Sequence, residues 1–160
     1  METVILPLLE FEKDNDQSPV KLIISTVGGS VSDGLILCNI IDNYKKPLEI
    51  YVYGYACSMG TIILCSGNKN SNVTKYCYPF SFGLFHAGYS AIEGESLSVE
   101  DQIEFNKKTD TMIRDYVVSH TNITAEEYKA NERRQWYLNA HEMKEKGLID
   151  IIIGEVDSNE

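Results

Sequence analysis

The sequence predicts an α/β fold on a mainly parallel sheet, and its first half supplies the reasons. Two apolar, partly β-branched runs, Val20-Lys21-Leu22-Ile23-Ile24 and Leu48-Glu49-Ile50-Tyr51-Val52-Tyr53, read as strands. Each is followed by a glycine-bearing turn and then by a segment of helical pattern. The order is therefore β-α-β-α, which implies right-handed crossovers and parallel neighbours. The two turns, Ser25–Val31 and Gly54–Gly60, then lie at one end of the sheet, where sites in open α/β sheets form.

The remaining elements follow in order. Met1 to Glu12 is apolar and then acidic and reads as the end of a helix, and Lys13–Pro19 is a polar turn. A helix is expected from Val31 to Asn43, with Val31, Leu35, Cys38 and Ile41 or Asp42 on its period, ended by Lys45-Lys46-Pro47. After the second turn, Gly60 to Gly67 is a short apolar helix closed by a glycine suited to a C-cap. Asn72–Tyr78 reads as a short strand broken by Pro79, and Phe80–Phe85 as another with His86 at its end. Gly88–Ser96 is a glycine-containing surface segment. From Val99 to Val118 the pattern is a long helix, with Phe105, Thr109, Met112 and Tyr116 on one stripe and Glu104, Lys107, Lys108 and Asp110 on a charged flank. That is more helix than one small core needs. Thr124-Ala125-Glu126-Glu127 and Asn139-Ala140-His141-Glu142 read as capping boxes. Gly147 closes the second of these helices, Leu148–Ile153 is a final strand, and an acidic, disordered tail is expected over residues 155–160.

A chain of 160 residues, 43% hydrophobic and 24% charged, is expected to form a single domain over residues 1–160 with a real core. Its net charge of −10 argues against a nucleic-acid backbone or an anionic membrane as partner. No apolar run approaches a membrane span, and the start lacks the basic region of a secretory signal. The four cysteines contain no C-x-x-C pair, so free thiols in a reducing, cytoplasmic compartment are expected rather than disulfides or metal.

Ser58 sits where a strand feeds a helix N-terminus, and there unpaired N–H groups and the helix dipole favour developing negative charge. That suits a nucleophile. The motif is not G-x-S-x-G, since Ala56 stands at the first glycine position, and a serine on such a turn could equally serve as an N-cap. The Gly28-Gly29 turn adds close backbone N–H groups, an oxyanion-hole arrangement. Cys57, next to Ser58, is expected to pack rather than react. His86 is the histidine at a strand end, whereas His120 and His141 fall on polar helix ends and are expected to be solvated.

Thr26-Val27-Gly28-Gly29-Ser30-Val31, Gly54-Tyr55-Ala56-Cys57-Ser58-Met59-Gly60 and Phe85-His86-Ala87-Gly88, in this order, resemble three sequence blocks of the Clp protease proteolytic subunit (ClpP) family. Tyr137-Leu138-Asn139-Ala140-His141-Glu142 through Gly147-Leu148-Ile149-Asp150 resembles that family's ending. The similarity runs from about Leu6 to about Ile153. It implies a ClpP/crotonase-like fold of repeated β-α-β units, with residues 99–120 as a protruding handle helix between rings. It also implies serine peptidase chemistry without metal or organic cofactor: Ser58 as nucleophile, His86 as general base, and the N–H groups of Gly29 and Met59 as the oxyanion hole. The family's catalytic aspartate falls on Gln135, which can accept the imidazole N–H but brings no charge; Glu132 lies one turn away. The partners implied are unfolded polypeptides, copies of the chain in seven-membered rings stacked in pairs, and an AAA+ unfoldase. The chain begins where the family's first helix is ending, so it is expected to be an N-terminally shortened member without the axial loops. Two other readings stand beside this one: a weakly active or inactive structural subunit of a mixed ring, and a crotonase-type acyl-thioester enzyme with the same two-amide hole.

Overall fold

One kinked strand organises the sheet. In the computed structural model, which describes residues 2–88 and 95–155, strand β2 runs from Leu48 to Cys57, four residues beyond the expected end. Gly54, at φ 85°, divides it. The half before the kink lies between β1 (Val20–Thr26) and β3 (Val73–Cys77), both parallel to it, with Ile50 opposite Leu22 on one side and Lys75 on the other. The half after it, Tyr55–Cys57, pairs in parallel with β4 (Phe82–Phe85). β5 (Trp136–Asn139) adds to β4 antiparallel, and β6 (Ile151–Ile152) adds to β3 in parallel, giving six strands in one sheet. The final strand is thus shorter than expected. Leu148 and Ile149 are buried in the segment before it.

Helices cover one face. Along β2, Leu48, Ile50 and Val52 point inward with 0–1% exposure while Glu49, Tyr51 and Tyr53 point outward, the period of a half-buried strand. Against the inward side pack α2 (Val31–Asp42) and α3 (Met59–Cys65). The buried face of α2 is Gly34, Leu37, Cys38 and Ile41; of the expected stripe, Cys38 and Ile41 are buried, Leu35 packs half-buried against the core, and Val31 is exposed. Gly34 leads this face because a side chain there would meet the Met59 side chain at 2.2 Å. Each fully buried leucine or isoleucine contributes about 1.5–3 kcal/mol. The outward face carries an aromatic row, with Tyr51 stacked on Tyr76 and Tyr53 tilted against Tyr78, both at 4.7 Å between ring centres.

α1 (Glu2–Lys13) is a twelve-residue helix, docked by polar clamps: the Tyr44 hydroxyl donates to the Leu8 carbonyl, and the Lys46 ammonium donates to the carbonyls of Phe11 and Asp16. α4 (Ser96–His120) begins three residues before the expected handle and is 25 residues long, about 37 Å of helix. Only Val117 of α4 is buried; Leu97, Phe105 and Met112 are more than half exposed. Its C-terminal end is what meets the body of the protein. There the Tyr116 hydroxyl donates to Asp42, and His120 stacks on Tyr116 at 4.1 Å with its Nε2 3.7 Å from Asp42. His120 is therefore packed, not solvated as expected. His141 is exposed and lies 3.1 Å from Glu155.

α5 (Ala125–Asn131) and α6 (Ala140–Glu145) flank β5 in the chain. Asn139 and Glu142 form a full capping box. Thr124 caps α5 through Glu127 N–H, but the Glu127 carboxylate turns away to Lys146, so the reciprocal half of that box is absent. Glu155, the first residue of the expected tail, makes the contact with His141; residues 156–160, and residues 89–94 of the expected surface segment, lie outside the described residues.

Candidate active site

The two glycine-bearing turns abut. A side chain on Gly28 (φ +105°) would come within 2.6 Å of Ser58 Cβ, 2.8 Å of the Cys57 carbonyl oxygen and 3.2 Å of Met59 N. One on Gly29 would meet nothing within 4 Å, so Gly29 faces open space. Gly60 presses on the Thr26 methyl at 2.5 Å in the same sense. Thr26 fixes the first turn by accepting from Gly28 N–H at 3.1 Å. Glycine at 28 is required by contact as well as by φ.

Ser58 is held in a strained conformation. Its φ of 55° with ψ −121° makes it the single non-glycine residue at positive φ among the described residues. The surroundings impose this: Ser58 N–H donates to the Leu84 carbonyl at 2.8 Å, and the Ser58 carbonyl accepts from Thr61 and Ile62. Ser58 occupies the N-cap position of α3, yet its hydroxyl makes no capping bond, so the hydroxyl is not consumed by the helix. Thr61, buried completely, is the staple beneath it. Its hydroxyl lies 2.7 Å from the Ala56 carbonyl, 2.8 Å from the Leu84 carbonyl, and accepts from Leu84 N–H at 3.1 Å. Sequence reading passed over Thr61; the available signal was one polar residue inside the apolar segment Met59–Cys65.

The N–H groups of Gly29 and Met59 have no acceptor among the described residues. Met59 opens α3, where N–H groups lack intrahelical partners and the dipole is positive. Cys57 is buried, and burial pushes its thiol up, away from the thiolate a nucleophile needs. All four cysteines are free and buried.

His86 follows β4 and is exposed. The register Phe85↔Trp136, continued by one residue, sets His86 across from Gln135. The two side chains do not hydrogen-bond: the Gln135 oxygen accepts from the Tyr137 hydroxyl at 3.1 Å, and His86 Nδ1 lies 2.7 Å from the Ala87 carbonyl. A carbonyl can only accept, so Nδ1 of the neutral ring carries the proton and Nε2 is left as its acceptor. Glu132, at the C-cap of α5, is exposed and is not bonded to His86. Nor is Ser58. The structure thus brings Ser58, Met59, Gly28 and Gly29 into one turn pair and places His86 and Gln135 on adjacent strand ends.

Other chemistry is sparse. Among the described residues, no group of three or more His, Cys, Asp or Glu side chains is arranged to hold a metal ion, and no helix is long and apolar enough to cross a membrane. Two clefts, of about 430 and 370 Å³, lie at the far end of α3 around Asn68 and Asp150.

Comparison with known proteins agrees with this geometry. The family model described as Clp protease matches residues 1–156. Two ATP-dependent Clp protease proteolytic subunits, from Dehalococcoides mccartyi strains BAV1 and CBDB1, are each 27% identical to the chain over 150 residues, covering 94% of it and 74% of the relative. With a mostly parallel α/β sheet, abutting glycine-bearing turns and a family match over nearly its whole length, the chain belongs to the Clp protease family.

Proposed function

We propose that this protein is a serine endopeptidase that cleaves unfolded polypeptides or peptides inside an oligomeric ring. The observation that carries the reading is Ser58: a strained serine with an uncommitted hydroxyl, at a helix N-terminus, against a glycine pair. In the mechanism, Ser58 Oγ attacks the scissile carbonyl while His86 Nε2 takes its proton. The N–H groups of Gly29 and Met59 stabilise the oxyanion. Collapse expels the amine, which takes the proton back from His86, and water then hydrolyses the acyl-enzyme by the same route. Gln135, or Glu132 after rotation of the segment between α5 and β5, would replace the Ala87 carbonyl as orienter of His86. The assembly proposed is two stacked seven-membered rings, with α4 as the contact between them and an AAA+ unfoldase as partner.

A second reading is favoured by a specific observation. By the resemblance the acid position falls on Gln135, and His86 is hydrogen-bonded to neither Ser58, Gln135 nor Glu132. This fits a weakly active or inactive structural subunit of a mixed ring. One experiment separates the two: reaction with a fluorophosphonate probe, read by intact mass beside a sizing column, with Ser58→Ala as control. Labelling at Ser58 in a large assembly supports the peptidase. An unlabelled large assembly supports the structural subunit and overturns the first reading.

A further inference from the structure

The end of α3 opposite Ser58 holds a buried ammonium group that the proposed chemistry does not use. Lys75, on β3, is 1% exposed. Its Nζ donates to the Leu64 carbonyl at 2.7 Å, to the Ser66 carbonyl at 3.3 Å and to the Asn68 side-chain oxygen. Leu64 lies in the last turn of α3 and Ser66 is its C-cap, so two of the three acceptors are carbonyls that the helix leaves unpaired there. Asn68 in turn donates to the carbonyls of His120 and Gly147, which ties the same point to the ends of α4 and α6. Around the ammonium stand Cys65 on α3, Asp42 at the end of α2 and Asp150 before β6, with Tyr116 of α4 bonded to Asp42. Among the described residues no carboxylate pairs with Nζ; Asp150 accepts from the Lys75 backbone N–H instead.

We propose that Lys75 is a positioning residue for Ser58: its ammonium group fixes the C-terminal end of α3, and the short, fully buried helix carries that constraint to the nucleophile turn. The inference rests on the reading of Ser58 as nucleophile. Three acceptors match the three N–H donors of an ammonium group, and a neutral amine has only two. Loss of the proton therefore frees one acceptor and loosens the clamp. It also removes a positive charge from the negative end of the α3 dipole, whose positive end faces the oxyanion. Burial lowers the ammonium's pKa to about 8, so this change falls within the range of a peptidase assay.

The test measures the rate of fluorophosphonate labelling at Ser58 from about pH 6.5 to 9.5 in the wild type, Lys75→Arg and Lys75→Met. Amide hydrogen exchange across α3, corrected for intrinsic rates, is followed in parallel. In the wild type, labelling is expected to fall about tenfold as pH rises through 8, with α3 amides exchanging about tenfold faster. Lys75→Arg is flat above pH 8 in both measurements, and Lys75→Met is slow to label and fast to exchange at every pH. The proposal is overturned if the wild type and Lys75→Arg superimpose above pH 8, or if Lys75→Met exchanges like the wild type below pH 8. Should Lys75→Met fail to fold, Asn68→Ala decides, because its side chain is exposed and its loss leaves the ammonium one acceptor short at all pH. Unchanged α3 exchange in that variant overturns the proposal. A wild type that never labels refutes the peptidase reading instead, and the exchange data then judge the clamp alone.

Discussion

Gly28→Ala is the sharpest test of the contact between the two turns. An alanine there carries a backbone penalty at φ +105°, about 1–2 kcal/mol for an L-residue on the left-handed side. Its methyl would sit 2.6 Å from Ser58 Cβ and 2.8 Å from the Cys57 carbonyl. Neither atom is the end of a flexible side chain, so the turns must separate, at about 1–3 kcal/mol for overpacking. The sum, about 2–5 kcal/mol, is a large share of the roughly 5–15 kcal/mol that holds a domain folded. Gly29→Ala is the internal control. It has an unfavourable φ of +155° but open space around the added methyl, so it bears only the backbone penalty. Urea unfolding at fixed protomer concentration should show Gly28→Ala at least 1 kcal/mol less stable than Gly29→Ala. Ser58 labelling in the folded fraction should be lost in Gly28→Ala. Equal stability of the two variants would refute the close approach of the turns.

Four further outcomes are expected. Thr61→Val removes the hydroxyl's bonds to the Ala56 and Leu84 backbone, at about 0.5–1.5 kcal/mol each, whereas Thr61→Ser keeps most of the stability; urea midpoints compare them. Lys75 has a folded pKa of about 8, below the 10.5 of a free lysine, so the unfolded chain holds the proton to higher pH. Its contribution to global stability is therefore full above pH 10.5 and lost as pH falls through 8, about 3 kcal/mol in all, and the slope vanishes in Lys75→Met. Stability and Ser58 labelling should thus move in opposite directions above pH 8, which a merely structural lysine would not produce. Gln135→Asp should raise peptide turnover at least tenfold if a charged orienter limits the site, given that such an acid contributes up to about four orders of magnitude; no gain would point to Glu132 or to the structural subunit. Phe105→Glu with Met112→Glu, both on the exposed part of α4, should shrink the assembly on a sizing column with protomer stability changed by less than about 0.5 kcal/mol. An unchanged size would count against α4 as the contact between rings.

Period and punctuation made much of this fold readable. Alternation along Leu48–Val52, glycine pairs after strands, and the Asn139 capping box are local signals, and the elements they mark are present. What was misread depends on partners distant in sequence. The strand Trp136–Asn139 is four residues long and exists because β4 offers it an edge. Val31 fits the helical period of α2 yet is exposed, because the packing surface is set by Met59 fitting over Gly34. His120 sits on a polar helix end but is stacked and faced by Asp42, a residue from another helix. At the candidate site, the place of Ser58 on its turn was legible, whereas the bonds of Thr61 and Lys75 were not, since they go to carbonyls contributed by other elements. The orientation of His86 is likewise beyond pattern: it hangs on one backbone carbonyl at 2.7 Å.

The pairing of Phe85 with Trp136 has an optical consequence. The chain contains one tryptophan, Trp136, next to Gln135, and its ring lies 5.4 Å from that of Phe85, which adjoins His86. Intrinsic fluorescence from this protein therefore has a single indole source, set at the seam where β4 and β5 hand the chain to the proposed base and its orienter. A segment that swings His86 toward Ser58, or Gln135 toward His86, must change the surroundings of that indole. Emission shift and quenching on assembly or on probe binding would then follow the ordering of the site in real time, without any label.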